Sequence, residues 1–357
     1  MQSAAGRRIL TCLCGTLAVA WLAAPQAASQ TGDIRRVHDP AIIRQGDTYY
    51  LFSTNDGIAI RRSTDLFHWE RIGRVFEGMT PPWAAAEVPG VRAPWAPDIA
   101  YFNGRYHLYY SLSTFGSQRS VIGLATNVTL DPSSPEYRWE DRGKVVESWP
   151  GRSDFNAIDP NVAFDENGEP WLAWGSFWGG IKMRKLDPRT GLLSGDDTTT
   201  YSLAARPGEG AVEAPFILRR GEYFYLFVSF DFCCRRASST YNVRVGRSQK
   251  ITGPYVDRAG VPMLEGGGTL VLASSGRVRG PGHNAVLTEG DTHYLVHHFY
   301  DAEENGVSKL QIRPLLWDAE GWPVAGEPIT GPVARAAGPS GDATAGSAGP
   351  GTRTTQR

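Results

Sequence analysis

Five times along this chain an apolar run reaches a turn that contains glycine and returns as an aromatic-rich run. The segments read HDPAIIRQGDTYYLF from His38, PDIAYFNGRYHLYY from Pro97, DPNVAFDENGEPWLAW from Asp159, EAPFILRRGEYFYLF from Glu213 and HNAVLTEGDTHYLV from His283. Each is the sequence form of a β-hairpin, two strands joined by a tight turn. No long stretch sustains a 3.6-residue period, so helices are not expected to build the core. The hairpins open on Asp39, Asp98, Asp159, Glu213 and His283, spaced 59, 61, 54 and 70 residues apart. That spacing suits one four-stranded propeller blade with its loops. The pattern therefore predicts an all-β fold, a five-bladed β-propeller, whose first strands line a common axis. Equivalent hairpins would bring four carboxylates and one imidazole together at one mouth of a closed ring.

Composition agrees with this. Of 357 residues, 41% are hydrophobic and 11% aromatic, and 41 glycines and 24 prolines supply turns. The formal net charge is −1 with both signs interspersed, which argues against nucleic acid or an anionic membrane surface as a partner. A neutral polymer is easier to accommodate, and a monomer is expected.

The two ends of the chain read differently from the middle. Arg7 and Arg8 precede an apolar run from Ile9 to about Ala24, and Ala27, Ala28 and Ser29 follow, so residues 1–29 read as a secretory signal peptide. The run is too short for a membrane anchor. The arginine pair is compatible with twin-arginine export without requiring it. The mature protein is expected to be extracellular or periplasmic. Residues 30–335 form the propeller in this reading, and residues 336–357, with almost nothing apolar to bury, read as a disordered tail. Loss of the signal segment removes Cys12 and Cys14 and leaves Cys233 and Cys234, which either close a vicinal disulfide or remain two thiols. Asn127 in Asn-Val-Thr fits a glycosylation sequon, relevant only in a host that glycosylates.

The ordered motifs HDP (His38–Pro40), WAPDIAYFNGRYHLYYS from Trp95, IDPNVAFD from Ile158, WGSFWGGI from Trp174, EAPFI from Glu213, STYNVRVGRS from Ser239 and GPGHN from Gly280 resemble glycoside hydrolase family 43. Within that family the chain looks like the endo-1,5-α-L-arabinanases, and the resemblance runs from roughly Val37 to Trp322. It implies a secreted, inverting hydrolase of arabinan or pectic side chains, with a metal ion in the central channel. Inversion needs one carboxylate to deprotonate water and one carboxylic acid to protonate the leaving oxygen, held about 6.5–9.5 Å apart. By resemblance Asp39 is the general base, Glu213 the general acid, and Asp159 the residue that tunes and orients the acid. A nearby negative charge gives the physical reason, since it keeps Glu213 protonated. Asp98 is given no catalytic role; bonding backbone amides is its expected task.

His283 carries over as the one protein ligand of a mostly water-coordinated ion, calcium first, although imidazole is an unusual partner for a hard cation. His297 and His298 read as strand residues. Flat apolar faces for a sugar are expected from Trp95, Phe115, Phe177 and Trp178, with Trp95 and Phe115 in loops, and hydroxyl partners from Asn161 and Ser176. Three alternatives stand beside the endo-arabinanase. One is an exo-acting α-L-arabinofuranosidase or β-xylosidase of the same family, and another is a non-catalytic sugar-binding propeller. The third is a retaining five-bladed fructan-cleaving enzyme.

Overall fold

All five hairpins form, and the turns that close them follow from local chemistry. Ala41–Gln45 pairs with Thr48–Ser53 across Gly46–Asp47. Trp95–Phe102 pairs with Arg105–Leu112 across Asn103 and Gly104, whose φ values of 48° and 72° are those of a type I′ turn that only residues such as Asn and Gly adopt readily. The computed structural model describes residues 30–334, Glu209 excepted; the expected signal segment and tail lie outside the described residues.

Each hairpin is extended by two more antiparallel strands. Blade one continues with Ala59–Ser63 and His68–Arg74, and blade two with Ser120–Asn127 and Glu140–Ser148. Blade three comprises Asn161–Phe164, Pro170–Trp174, Ile181–Lys185 and Tyr201–Ala204. Blade four comprises Val212–Arg220, Tyr223–Phe230, Asn242–Ser248 and Thr269–Leu272, and blade five Val278–Glu289, Thr292–Asp301, Val307–Trp317 and Pro323–Ala325. The architecture is the five-bladed β-propeller that the repeats predict.

The second strands are aromatic because both of their faces are covered. Tyr106–Leu112 and Phe224–Phe230 are buried throughout, since adjacent blades pack face to face. Five apolar clusters fill the five blade interfaces. Phe52, Ile60 and Tyr110 lie between blades one and two, and Tyr109, Leu172 and Trp174 between two and three. Met183 and Leu226 join blades three and four, Phe227 and Leu295 join four and five, and Leu51 and Ile312 join five back to one. Deleting a buried aromatic of this kind costs about 3–5 kcal/mol, so each interface is a substantial contributor to the ring.

The ends of the described chain reinforce the last interface. Leu310 N–H donates to Ile34 O at 3.0 Å and Arg36 N–H to Ser308 O at 2.7 Å, while Val333 N–H reaches Asp65 O at 3.0 Å. Thr31–Gly32 adds a short parallel edge to blade one. Asn127, the sequon residue, is fully buried, and its Oδ1 accepts from the amides of Val128 and Arg138. In the folded protein it is a structural brace and not a surface acceptor.

Candidate active site

Every first strand enters the ring through one residue in the left-handed region: Asp39 (φ 50°), Ala96 (43°), Asp159 (58°), Ala214 (56°) and His283 (46°). Such a conformation costs of order 1–3 kcal/mol for a non-glycine residue and persists where its surroundings over-determine it. Here the surroundings are shared between blades. The N–H of Asp39 donates to His298 Nδ1 (3.1 Å), that of Ala96 to Thr54 Oγ1 (2.7 Å), that of Asp159 to Ser111 Oγ (2.9 Å) and that of His283 to Ser229 Oγ (2.8 Å). Each acceptor stands within the last four residues of the preceding blade's second strand or just beyond it. Ala214 is the exception, because its N–H donates to Asp159 Oδ2 at 3.2 Å.

This frame corrects the equivalence read from the sequence. Asp39, Asp159 and His283 share the left-handed position, but Glu213 stands one residue before it and Asp98 two residues after it. Strand pairing shifts register around the left-handed residue in blades two, four and five alike, and in blades two and four an alanine and not the carboxylate holds that position. Asp98 therefore lies in the next layer along the strand. Its Oδ2 accepts from Val162 N–H (2.7 Å) and Asn161 Nδ2 (3.2 Å), and burial pushes its carboxyl up to about 7. Asn161 Oδ1 in turn accepts from Ile217 N–H at 2.9 Å. Asn161 is 1% exposed and engaged at both ends of its amide, so it stitches blades two, three and four together and is not placed to meet a sugar hydroxyl.

Asp39 is buried, which by itself would raise its pKa, yet two histidines hold it well below the ordinary carboxylate range. His38 Nδ1 lies 2.8 Å and His283 Nδ1 3.1 Å from Asp39 Oδ1. His38 Nδ1 makes its approach without the alignment of a hydrogen bond. Thr54 donates its hydroxyl to Asp39 Oδ2. His298 approaches differently: burial keeps it neutral, and its Nδ1 accepts the Asp39 N–H. The result is an ionised carboxylate at neutral pH, the state a general base requires.

Glu213 is held in the opposite state. Burial raises its pKa, and the Asp39 charge adds to that, against the bonds donated to Oε2 by Ser176 and to Oε1 by Tyr241 at 2.5 Å each. Asp159 is likewise raised well above the usual range, first by burial and then by the charges of Glu213 and Asp39. Two buried carboxyls in one field cannot both ionise cheaply. The dominant cause for Glu213 is thus burial; the Ser176 and Tyr241 hydroxyls and the His283 charge pull the other way, and the Asp39 charge adds a smaller raise. Ser176, expected to meet substrate, is 3% exposed and gives its hydroxyl hydrogen to Glu213.

Antiparallel order fixes which loops share this mouth: first strands begin there, so second strands end there. Phe115 (85% exposed), Phe177, Trp178 (46% exposed) and Phe232 lie in loops that follow second strands, on the same face as Asp39 and Glu213. Trp95 is not in a loop. It opens its strand opposite Ser111, in the place Glu213 occupies opposite Ser229. The structure adds His38, His298, Tyr241 and Phe232, the last 6.0 Å from the Phe177 ring. Tyr241 lies within the matched STYN motif, but nothing in its own segment pairs it with Glu213.

Burial would depress His283, but Asp39 foremost, then Asp159 and Glu213, hold it up to about 9. His283 thus answers the charge of Asp39, while Glu213 and Asp159 are held towards their neutral forms. His283 Nδ1 is engaged with Asp39, which leaves Nε2 for a cation once that nitrogen gives up its hydrogen. Among the described residues no cluster of three side-chain ligands includes His283. The donor set fits a cation that takes one imidazole nitrogen and water for its remaining positions, and does not fit one chelated by several side chains.

The profile of Glycosyl hydrolases family 43 matches residues 34–323. An extracellular exo-α-(1→5)-L-arabinofuranosidase of Cellvibrio japonicus is 45% identical over 309 residues, covering 82% of this chain and 86% of its own length. An extracellular endo-α-(1→5)-L-arabinanase of Bacillus subtilis is 43% identical over 309 residues, covering 84% and 91%. Among solved structures, the α-L-arabinanase of Cellvibrio cellulosa in complex with arabinohexaose superposes with a TM-score of 0.79 at 44% identity, over 81% of this chain and 95% of the other.

Proposed function

The chain belongs to glycoside hydrolase family 43, and from that membership we propose that it is a secreted endo-1,5-α-L-arabinanase that cleaves internal bonds of arabinan with inversion. The observation that carries the reading is the split between two buried carboxyls at one mouth: Asp39 held ionised by two histidines, Glu213 held towards its acid form by burial. Asp39 takes a proton from water as the water attacks the anomeric carbon. Glu213 gives its proton to the departing C5 oxygen. Ser176 and Tyr241 fix both oxygens of Glu213 in direction, so the acid is aimed before substrate arrives. Asp159 holds the Ala214 amide beside the acid, and the mutual repulsion of the two buried carboxyls resists the ionisation of both together.

Relatives named for arabinan support the substrate, and those named extracellular support secretion. They differ in mode of attack, and the exo name of the Cellvibrio japonicus relative is the observation that keeps exo action as a second reading. Digestion of debranched linear arabinan separates the two. A spread of oligosaccharides at early times is expected, whereas monomer or dimer alone from the start would overturn endo action.

His283 Nε2 would hold the central cation, which we take to be calcium. When bound, it would add positive charge beneath Asp39 and favour its ionised form. His283→Ala is expected to lower activity and leave the propeller folded, because the blade interfaces and not the axis build the core. Elemental analysis of purified protein should find about one calcium per chain and less in the variant. Fully active protein without metal, together with an unimpaired His283→Ala variant, would leave His283 as a structural residue.

A further inference from the structure

Cys233 and Cys234 are joined as a vicinal disulfide, in the loop that follows the second strand of blade four. Cys234 is exposed and Cys233 half-buried. The loop does not depend on the sulfur–sulfur bond for its shape. Thr240 N–H donates to Phe232 O at 2.9 Å, Arg235 N–H to Ser239 Oγ at 3.0 Å, and Cys234 N–H to Tyr300 Oη at 2.8 Å. None of these bonds uses a sulfur atom. Directly beside the pair is His38, whose Nε2 lies 3.8 Å from Cys234 Sγ and 2.7 Å from Tyr300 Oη. Because Nδ1 of His38 faces the Asp39 carboxylate, the ring hydrogen is assigned to Nδ1, and Nε2 presents a lone pair.

We propose that Cys233 and Cys234, once reduced, form with His38 Nε2 a two-sulfur, one-nitrogen site for a thiophilic divalent cation such as Zn²⁺ or Cd²⁺, next to the proposed base. The two sulfurs and Nε2 all lie within 4.8 Å of one another. Donors around a tetrahedral zinc, at metal–sulfur and metal–nitrogen bonds of about 2.3 and 2.0 Å, are separated by about 3.5–3.8 Å, so only small movements assemble the site. Thiolates and imidazole are the ligands that select such ions. The chemistry balances: two equivalents of a low-molecular-weight thiol give up two electrons and two protons, becoming their own disulfide as Cys233 and Cys234 become thiols. Binding of the cation then releases both protons. The disulfide keeps the site closed in an oxidising compartment.

Occupancy acts on Asp39 through His38. The cation takes Nε2 from the Tyr300 hydroxyl and places its charge one imidazole ring away from the carboxylate. The site itself stands without the arabinan reading; only its effect on turnover rests on that reading.

The test is titration of the full chain with CdCl2 after reduction by a phosphine and anaerobic removal of the reductant. The expected result is one Cd²⁺ bound per chain with the ultraviolet thiolate-to-cadmium charge-transfer band, and arabinan hydrolysis lowered by roughly tenfold until a chelator is added. Oxidised protein and the Cys233→Ser/Cys234→Ser variant should show neither the band nor inhibition. That variant also controls for Cys12 and Cys14, and far-ultraviolet circular dichroism checks its fold. His38→Gln should bind with about tenfold lower affinity. No band in reduced protein, or the same band in the double variant, would overturn the site. A band with unchanged turnover would overturn its link to Asp39.

Discussion

Glu213→Gln and Asp39→Asn are each expected to cut hydrolysis of linear arabinan by about two orders of magnitude or more, the usual loss when a positioned proton donor or acceptor is removed. Both proteins should stay folded. Glutamine fills the space of Glu213, and the hydroxyls of Ser176 and Tyr241 can turn to suit an amide. Asparagine at position 39 keeps the oxygen that accepts from Thr54, and the left-handed φ of 50° is one that asparagine tolerates well. The two losses should differ in kind. An aryl arabinofuranoside with a good leaving group needs no proton, so it should restore much of the rate to the Glu213 variant and none to the Asp39 variant, whose water still lacks its base. Steady-state kinetics on both substrates check this, and equal rescue of both variants would remove the assigned roles.

Asp159→Asn is expected to narrow the pH range from the alkaline side. Burial is the first cause that raises Glu213, and the repulsion by which Glu213 raises Asp159 is mutual, so removing the Asp159 carboxyl lowers the pKa of Glu213. The acid form is then lost at lower pH, and the alkaline limb of kcat/KM moves down. The acid limb belongs to Asp39, which is depressed by His38 and His283, and it should move little. Turnover at the optimum should also fall, by roughly tenfold, because the Ala214 contact is weakened where the acid is held. A pH profile with an unmoved alkaline limb would leave Asp159 a purely orienting residue.

What the chain disclosed, and what it withheld, follows from where the information lies. Hairpins are local: turn residues such as Asn103–Gly104 and the aromatic second strands announce themselves within fifteen residues. The outer strands are harder to see. Pro323–Ala325 has three residues and Thr269–Leu272 four, and both leave side chains at the rim. Carboxylates at strand openings were legible as a set, but their register was not, because the left-handed entry falls on Ala96 and Ala214 in two blades and nothing in the residue pattern marks those alanines. Contacts across blades were invisible for a related reason. His298 is unremarkable within its strand and becomes the acceptor of the Asp39 amide only when blade five closes on blade one. Asn161 and Ser176 looked like hydroxyl partners because polar residues near a site usually are; each is instead spent on a neighbouring blade.

Proton NMR recorded during hydrolysis of α-1,5-linked arabinan tests the central claim most directly. Water activated by Asp39 reaches the anomeric carbon from the face opposite the oxygen that Glu213 protonates, in a single displacement. The account predicts that the β-anomer appears first and that the α-anomer grows only as the sugar mutarotates. An initial α-anomer would contradict it, since net retention demands a covalent intermediate and would make one of these carboxylates a nucleophile.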